Sequence, residues 1–182
     1  MALSRPAWIA AGVVARLLMI GVLAMAVQSR FANRTRYDFK AVGYNTDLQS
    51  YTYAVVASVV GMAGSVLQIP VAVYLLCRGK RMTSSSLILD VSMYADIVVT
   101  VVLASGVGAG FGATDDVVEY VKKHGSRWGD GDVTQDLVKY YQKGVIAIVF
   151  LLIGMVLSVC ATVVSTRLRV RAASDDDDIA YV

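Results

Sequence analysis

Two charged residues lie inside otherwise apolar stretches of the chain, and they are the first candidates for chemistry. Arg16 lies in the middle of the apolar block 7–27, and Asp96 lies within the apolar block 85–114. A charged side chain inside a bilayer costs roughly 3 kcal/mol, so each of them needs a partner or a watery cavity. A guanidinium group can hold a carboxylate through two hydrogen bonds, which favours one geometry. The central prediction is therefore an intramembrane ion pair between Arg16 and Asp96.

Asp90 is the competing acid, and a proton or ion relay is the competing role. Asp90 precedes Asp96 by six residues, so on a helix it points about 120° away and lies about 9 Å nearer the helix start. Arg16 and Asp96 both lie roughly 13–17 Å from the same end of the bundle, which favours Asp96 as the partner. A relay through Asp96 would need further polar groups along a path. The polar groups of the second and fourth blocks are Ser58, Ser65, Gln68, Ser158 and Thr162.

Other site chemistries lack the residues they need. His124 is the single histidine, and Cys77 and Cys160 are the two cysteines, so neither a metal-spaced cluster nor a disulfide framework is present. The chain has no glycine-rich phosphate loop. Its net charge of +3 comes without a basic stripe, which argues against nucleic acid as a partner. We therefore predict no enzyme, no metal, no cofactor and no small-molecule substrate.

The elements that must position the pair are four long apolar blocks. The chain is 57% hydrophobic with a mean hydropathy of +0.60, and the blocks cover about 7–27, 51–77, 85–114 and 144–166. Because about 20 apolar residues form a helix that crosses a bilayer, the pattern predicts an all-α, integral membrane four-helix transmembrane bundle over 7–167. Residues 1–6 form a short N-terminal segment, and 168–182 are expected to be a disordered tail.

The segments between the blocks indicate the orientation. Residues 28–50 and 115–143 are expected to be polar loops, the second with weakly helical ends around 116–123 and 134–141. Residues 78–84 form a short basic turn, and three arginines follow the fourth block. The total of Lys and Arg differs little between the two sides, but the positive-inside rule weights short loops and residues near helix ends. Both termini are therefore predicted to be cytosolic.

Small residues suggest where helices approach closely. The candidate helix-packing glycines are Gly61 in the second block and Gly106, Gly108, Gly110 and Gly112 in the third. Glycines spaced four apart let another helix approach. On a helix, Gly110 falls near the Asp96 face, whereas Gly106 and Gly108 are expected to point away from it. Packing within one subunit and packing between subunits both remain open.

Two residues are candidates for covalent modification. Asn33 begins an Asn-Arg-Thr sequon, which is a glycosylation acceptor if its loop lies outside the cytosol. Cys77 lies at the cytosolic end of the second block and is a candidate for palmitoylation. A chance sequon at Asn33 and a small buried hydrophobe at Cys77 are the alternatives.

Taken together, these features resemble the plant Casparian strip membrane domain protein-like (CASP-like) family, which is distantly related to MARVEL domains. The resemblance rests on Arg16, on the short basic turn, and on YAD at 94–96, LASG at 103–106 and AGFG at 109–112. In that family the helix-one arginine and the helix-three aspartate are the characteristic charged pair. Arg16 and Asp96 occupy those positions.

The resemblance implies a multi-pass plasma-membrane protein with cytosolic termini that forms homo- and heteromers with itself and related members, in contact with membrane lipids. Founding members of the family build a scaffold that fences the membrane and recruits the enzymes of lignin deposition. The first external loop here lacks the signature of true Casparian strip members, and the second has no cysteine. The expected function is therefore a general CASP-like scaffold that oligomerises laterally. The alternative is a small transporter or channel subunit that uses Asp96 as an ion or proton site.

Overall fold

Four helices make up the part of the chain that the structure describes. The computed structural model describes residues 5–37, 49–78, 86–124 and 131–180. They form α1 (Arg5–Tyr37), α2 (Gln49–Arg78), α3 (Ser86–His124) and α4 (Gly131–Ala180). Each helix contains a stretch that is long and apolar enough to cross a membrane: Ala7–Ala32, Gln49–Tyr74, Asp90–Lys123 and Val138–Arg167. The predicted all-α four-helix membrane bundle is confirmed.

The helices extend well beyond the apolar blocks. α1 continues past residue 27 into the predicted loop 28–50 and ends at Tyr37. α3 and α4 together take up most of the predicted loop 115–143, and its helical ends are confirmed. These polar turns remain helical because one side of them is packed: Val121 is buried in a cluster with Tyr140 and Tyr141. Hydropathy locates the apolar part of a helix and leaves its amphipathic ends undetected.

α4 includes residues 168–180 of the segment for which the sequence predicted a disordered tail. α4 is continuous from Gly131 to Ala180. Between Gly154 and residue 182 the sequence contains neither glycine nor proline, so no residue that would end a helix follows the membrane span. The cytosolic turn predicted at 78–84 lies outside the described residues apart from Arg78, which ends α2.

The helices are arranged as a square in chain order. α1 packs against α2 and α4, and α3 packs against the same two helices, while α2 and α4 meet at only a few positions. Hydrogen bonds join the late part of α1 to the early part of α4, at Arg30 and Tyr140, and the middle of α1 to the late part of α4, at Arg16 and Ser165. The helices therefore run alternately up and down, and α1 starts at the end of the bundle where α4 finishes.

Leu23 lies at the centre of the core, in a notch made by two glycines. A Cβ atom on Gly61 of α2 would lie 2.8 Å from a Leu23 methyl group, and one on Gly154 of α4 would lie 2.6 Å from the other. Leu23 and Leu103 are completely buried. Since lipid tails are as apolar as leucine, close packing rather than removal from water stabilises these contacts.

Candidate functional site

The structure brings Arg16 and Asp96 together inside the bundle. Arg16 Nη2 lies 2.8 Å from Asp96 Oδ2, and the two side chains are only 6% and 8% exposed. α1 and α3 occupy opposite corners of the square, so the arginine side chain reaches across the bundle interior to the carboxylate. Asp90, the competing acid, is half-buried, and Arg16 pairs with Asp96. The selection of Asp96 follows from depth, because Asp90 is about 1.7 turns closer to the start of α3.

Two uncharged residues complete the contacts of this ion pair. Arg16 Nε donates to Gln68 Oε1 at 2.9 Å, and Nη2 also donates to that oxygen. Ser165 Oγ donates to Asp96 Oδ2 at 2.6 Å and accepts from Arg16 Nη2 at 3.2 Å. Gln68 and Ser165 are themselves buried. We call these four residues the polar junction; it takes one side chain from each helix.

A glycine on α1 makes room for the junction. A Cβ atom on Gly12, one turn before Arg16, would lie 3.2 Å from a methyl group of Val164 and 3.5 Å from Arg16 Nη1. Gly12 therefore lets α4 approach α1 at the level where Ser165 reaches the ion pair. A Cβ atom at position 12 would be tight against Val164 and in ordinary van der Waals contact with the guanidinium group.

Hydroxyl groups continue from the junction towards the middle of the membrane. Thr100 Oγ1, one turn beyond Asp96, donates to the Asp96 carbonyl at 2.8 Å and shares a hydrogen bond of 2.7 Å with Ser158 Oγ. Thr162 Oγ1 donates to the Ser158 carbonyl at 2.9 Å. Thr100 and Thr162 each donate to a carbonyl of their own helix, and the Ser158 hydroxyl bonds Thr100 across the interface, so these groups fasten α3 to α4 without leaving donors unsatisfied in lipid.

A second polar layer lies at the opposite end of the bundle. Arg30 Nη1 donates to Tyr140 Oη at 2.7 Å, and its guanidinium group lies 4.3 Å from the ring centre of Tyr51. Tyr51 Oη shares a bond of 2.6 Å with Thr114 Oγ1, and the Tyr51 ring stacks on Tyr141 with 6.3 Å between the ring centres. We call this group the arginine–tyrosine layer. Fourteen residues separate Arg16 from Arg30, which places the two layers about 21 Å apart along α1.

The predicted glycines divide into inward and outward positions. Cβ atoms on Gly106 and Gly110 would lie 2.9 Å from Ala57 Cβ and 3.0 Å from Ile148 respectively, so both glycines face neighbouring helices. Gly108 and Gly112 have nothing within 4 Å of that position. Gly106, which was expected to point away from the Asp96 face, faces Ala57 of α2. α3 packs against both α2 and α4, so its buried surface is wider than the stripe that contains Asp96.

The Casparian strip membrane protein domain model matches residues 5–157 of the chain, which include Arg16, Asp96, the whole of α1, α2 and α3, and the first part of α4. The chain belongs to the Casparian strip membrane protein family. CASP-like protein 4D1 of Ricinus communis is 32% identical to it over 120 residues, and the match spans 66% of this chain and 66% of that relative. No solved structure matches the chain. The family membership predicted from the sequence is confirmed.

In this Casparian strip family member, the two predicted modification sites lie in the last turns of α1 and α2. Asn33 lies in the last turns of α1, in helical backbone rather than in the predicted loop. Cys77 is the residue before Arg78, at which α2 ends. The side chains of both lie outside the described residues, so their modification stays a prediction. Within the described ranges, no group of three or more His, Cys, Asp and Glu side chains could hold a metal ion.

The geometry of the polar junction suits a fixed cross-link between helices. Asp96 Oδ2 takes both a cation and a hydroxyl hydrogen bond, so its charge is compensated in the arrangement described. Sequence reasoning identified the two charges and missed the two neutral members. Gln68 is the only amide side chain in the charge-free block 51–77, and that signal could have identified it.

Proposed function

We propose that this member of the Casparian strip membrane protein family is a multi-pass plasma-membrane scaffold, which associates laterally with copies of itself and of related members to organise a membrane domain. Recruitment of cell-wall-modifying proteins belongs to the same proposal. Both termini face the cytosol, in accordance with the basic residues that directly follow the second and fourth apolar blocks.

The observation that carries the proposal is the polar junction. A single buried network takes one side chain from each of the four helices, and breaking such a network is costly. Each helix is therefore held by the other three, and the bundle behaves as one closed unit. A closed unit can act on its surroundings only through its outer faces, its helical ends and its loops.

The outward side of α3 supports lateral contact. Gly108 and Gly112 are exposed, and neither would meet an atom within 4 Å if it carried a Cβ atom. Glycines four residues apart on a lipid-facing surface allow the backbones of two helices to come close. Gly106 and Gly110, on the same helix, serve packing inside the subunit, so the two functions of the glycines are separated by face.

The experiment compares self-association of two lipid-facing variants. The double variant Gly108→Leu/Gly112→Leu places two large side chains on the proposed contact face and keeps a neighbouring helix away. Gly21→Leu is the matched control, because Gly21 on α1 is also exposed and has no atom within 4 Å of a Cβ position. Dimer fractions are measured by chemical cross-linking of the purified, full-length protein in lipid vesicles, over a dilution series in lipid. The proposal predicts a large loss of dimer in the α3 variant and wild-type behaviour in the control. A wild-type protein that remains monomeric at all dilutions would contradict lateral association.

A transport site at Asp96 is the second candidate function, and the hydroxyl groups beyond Asp96 are the observation that favours it. Thr100 and Ser158 place polar oxygens directly after the carboxylate. Transport predicts an ion or proton flux in vesicles that Asp96→Asn abolishes while folding and delivery persist. The scaffold predicts no flux in the wild type.

A further inference from the structure

Arg30 is a buried cation whose charge is not neutralised by the described residues. It is 8% exposed, and a guanidinium group carries five N–H donors. The structure gives it one hydrogen bond, from Nη1 to Tyr140, together with the faces of the Tyr51 and Tyr140 rings at 4.3 and 5.3 Å. No carboxylate of a described residue forms an ion pair with it. Arg16, by contrast, is paired with a carboxylate.

The magnitudes show that the tyrosine rings are an incomplete compensation. A cation–π contact contributes about 0.5–2 kcal/mol, whereas removing one ion from water costs several kcal/mol even after relaxation. The Tyr140 hydroxyl is a neutral acceptor and cannot balance the charge. Within the described residues the charge of Arg30 lacks a counter-ion, and an anion would complete its coordination.

Arg30 also lines a cleft of a size and chemistry that fit one oxygen of such an anion. The cleft lies between α1, α2 and α4 and has a volume of about 20 Å³, slightly more than one water-sized group requires. Apart from Arg30, Tyr51 and Ser58, its walls are aliphatic: Ala26, Ala54, Val55, Ala147, Ile148 and Leu151. It extends from Arg30 towards the middle of the membrane, because Ala26 is one turn and Ser58 is two turns deeper than the layer. The cleft can therefore admit one oxygen atom of an anion that is held at Arg30.

The depth of Arg30 favours the same kind of ligand. From Ala7, where the first span begins, to Arg30 the helix rises about 35 Å. The hydrocarbon layer is about 30 Å thick, so Arg30 lies at the level of the lipid headgroups on the side opposite the termini. Phosphate groups are concentrated at this level, and arginine binds phosphate oxygens through paired, charge-assisted hydrogen bonds.

We propose that Arg30 and the cleft beside it form a binding site for the phosphate group of an anionic lipid, with one phosphate oxygen entering the cleft. The guanidinium group donates its remaining N–H groups to the phosphate oxygens. The tyrosine rings hold the guanidinium plane in position for this contact. This lipid recognition goes beyond the scaffold function and does not depend on it.

The test measures ligand-dependent thermal stabilisation of the full-length protein in detergent. Three probes separate the chemistry: dioctanoyl phosphatidate, dioctanoylglycerol, which lacks the phosphate, and inorganic phosphate. The proposal predicts a saturable rise in melting temperature with phosphatidate and none with dioctanoylglycerol. A rise with inorganic phosphate as well means that the phosphate alone suffices, and no such rise means that the acyl region is required; both results support the phosphate site.

Two variants and one control locate the site. Arg30→Gln is expected to raise the dissociation constant for phosphatidate by about tenfold or more, because it removes charge-assisted hydrogen bonds. Ala147→Leu keeps Arg30 and fills the cleft, and it is expected to weaken phosphatidate binding as well. Arg167→Gln removes an exposed arginine at the other end of the bundle and should have no effect. Equal stabilisation of the wild type and Arg30→Gln would overturn the proposal, and so would unchanged affinity in Ala147→Leu.

Discussion

Replacing Asp96 by asparagine tests the polar junction with the smallest change of shape. The substitution removes one charge and keeps an oxygen that can accept from Ser165 and Arg16. Arg16 then remains buried, 5% exposed, with Gln68 as its other partner. The perturbation therefore isolates the charge of the carboxylate from its size.

The expected loss follows from burial. Breaking a buried ion pair by removing one partner costs about 3–5 kcal/mol, because an uncompensated charge remains. Asparagine retains a hydrogen-bond acceptor, so we expect the lower end of this range. The free energy of unfolding should fall by about 3 kcal/mol, which corresponds to roughly a 150-fold rise in the unfolded fraction. Ser165→Ala removes only the hydroxyl that donates to Asp96 Oδ2 at 2.6 Å, and a hydrogen bond to a charged group contributes about 1.5–3 kcal/mol.

The assay is the free energy of unfolding of the purified protein in mixed detergent micelles. Asp116→Asn is the matched control, since it is the same substitution at an exposed position of the same helix, and it should change stability by less than about 0.5 kcal/mol. The double reversal Arg16→Asp/Asp96→Arg should recover part of what each single reversal loses. If Asp96→Asn were as stable as Asp116→Asn, the ion pair would not hold the bundle together and the reasoning would be refuted.

Two further substitutions test the packing and the arginine–tyrosine layer. Gly106→Ala places a Cβ atom 2.9 Å from Ala57 Cβ, which cannot rotate away, so unfolding free energy should fall by about 1–3 kcal/mol; Gly108→Ala, which meets nothing within 4 Å, should not lose stability. Tyr51→Phe removes the 2.6 Å hydrogen bond to Thr114 but keeps the ring, so denaturant titration should show a loss of about 1 kcal/mol. Equal stability of the two glycine variants, or a Tyr51→Phe variant as stable as the wild type, would contradict these contacts.

The sequence predicts the bundle and the ion pair for a shared physical reason: charge and hydropathy are extreme inside a membrane. Four apolar blocks locate the four helices, and two opposite charges at one depth predict their pairing. The neutral members of the junction are harder to predict. Gln68 and Ser165 are two of several polar side chains, and the rotation of each helix about its axis decides which of them point into the bundle. Rotation is set by packing contacts between helices, which hydropathy does not encode.

The arginine–tyrosine layer was missed because the first apolar block ends at residue 27. Arg30 was therefore assigned to a loop, although it lies in α1 and is buried. Tyr140 was assigned to the second external loop for the same reason. A charged residue next to an apolar block can lie within the same helix when aromatic side chains pack on it. The tyrosines at 51, 140 and 141 could have indicated this position for Arg30.

Lateral association in the plasma membrane is the central functional claim, and single-particle tracking of the fluorescently tagged, full-length protein tests it most directly. The account predicts slow or immobile spots that contain two or more copies, with faster, single-copy spots for Gly108→Leu/Gly112→Leu and wild-type behaviour for Gly21→Leu. Freely diffusing single copies of the wild-type protein would contradict it.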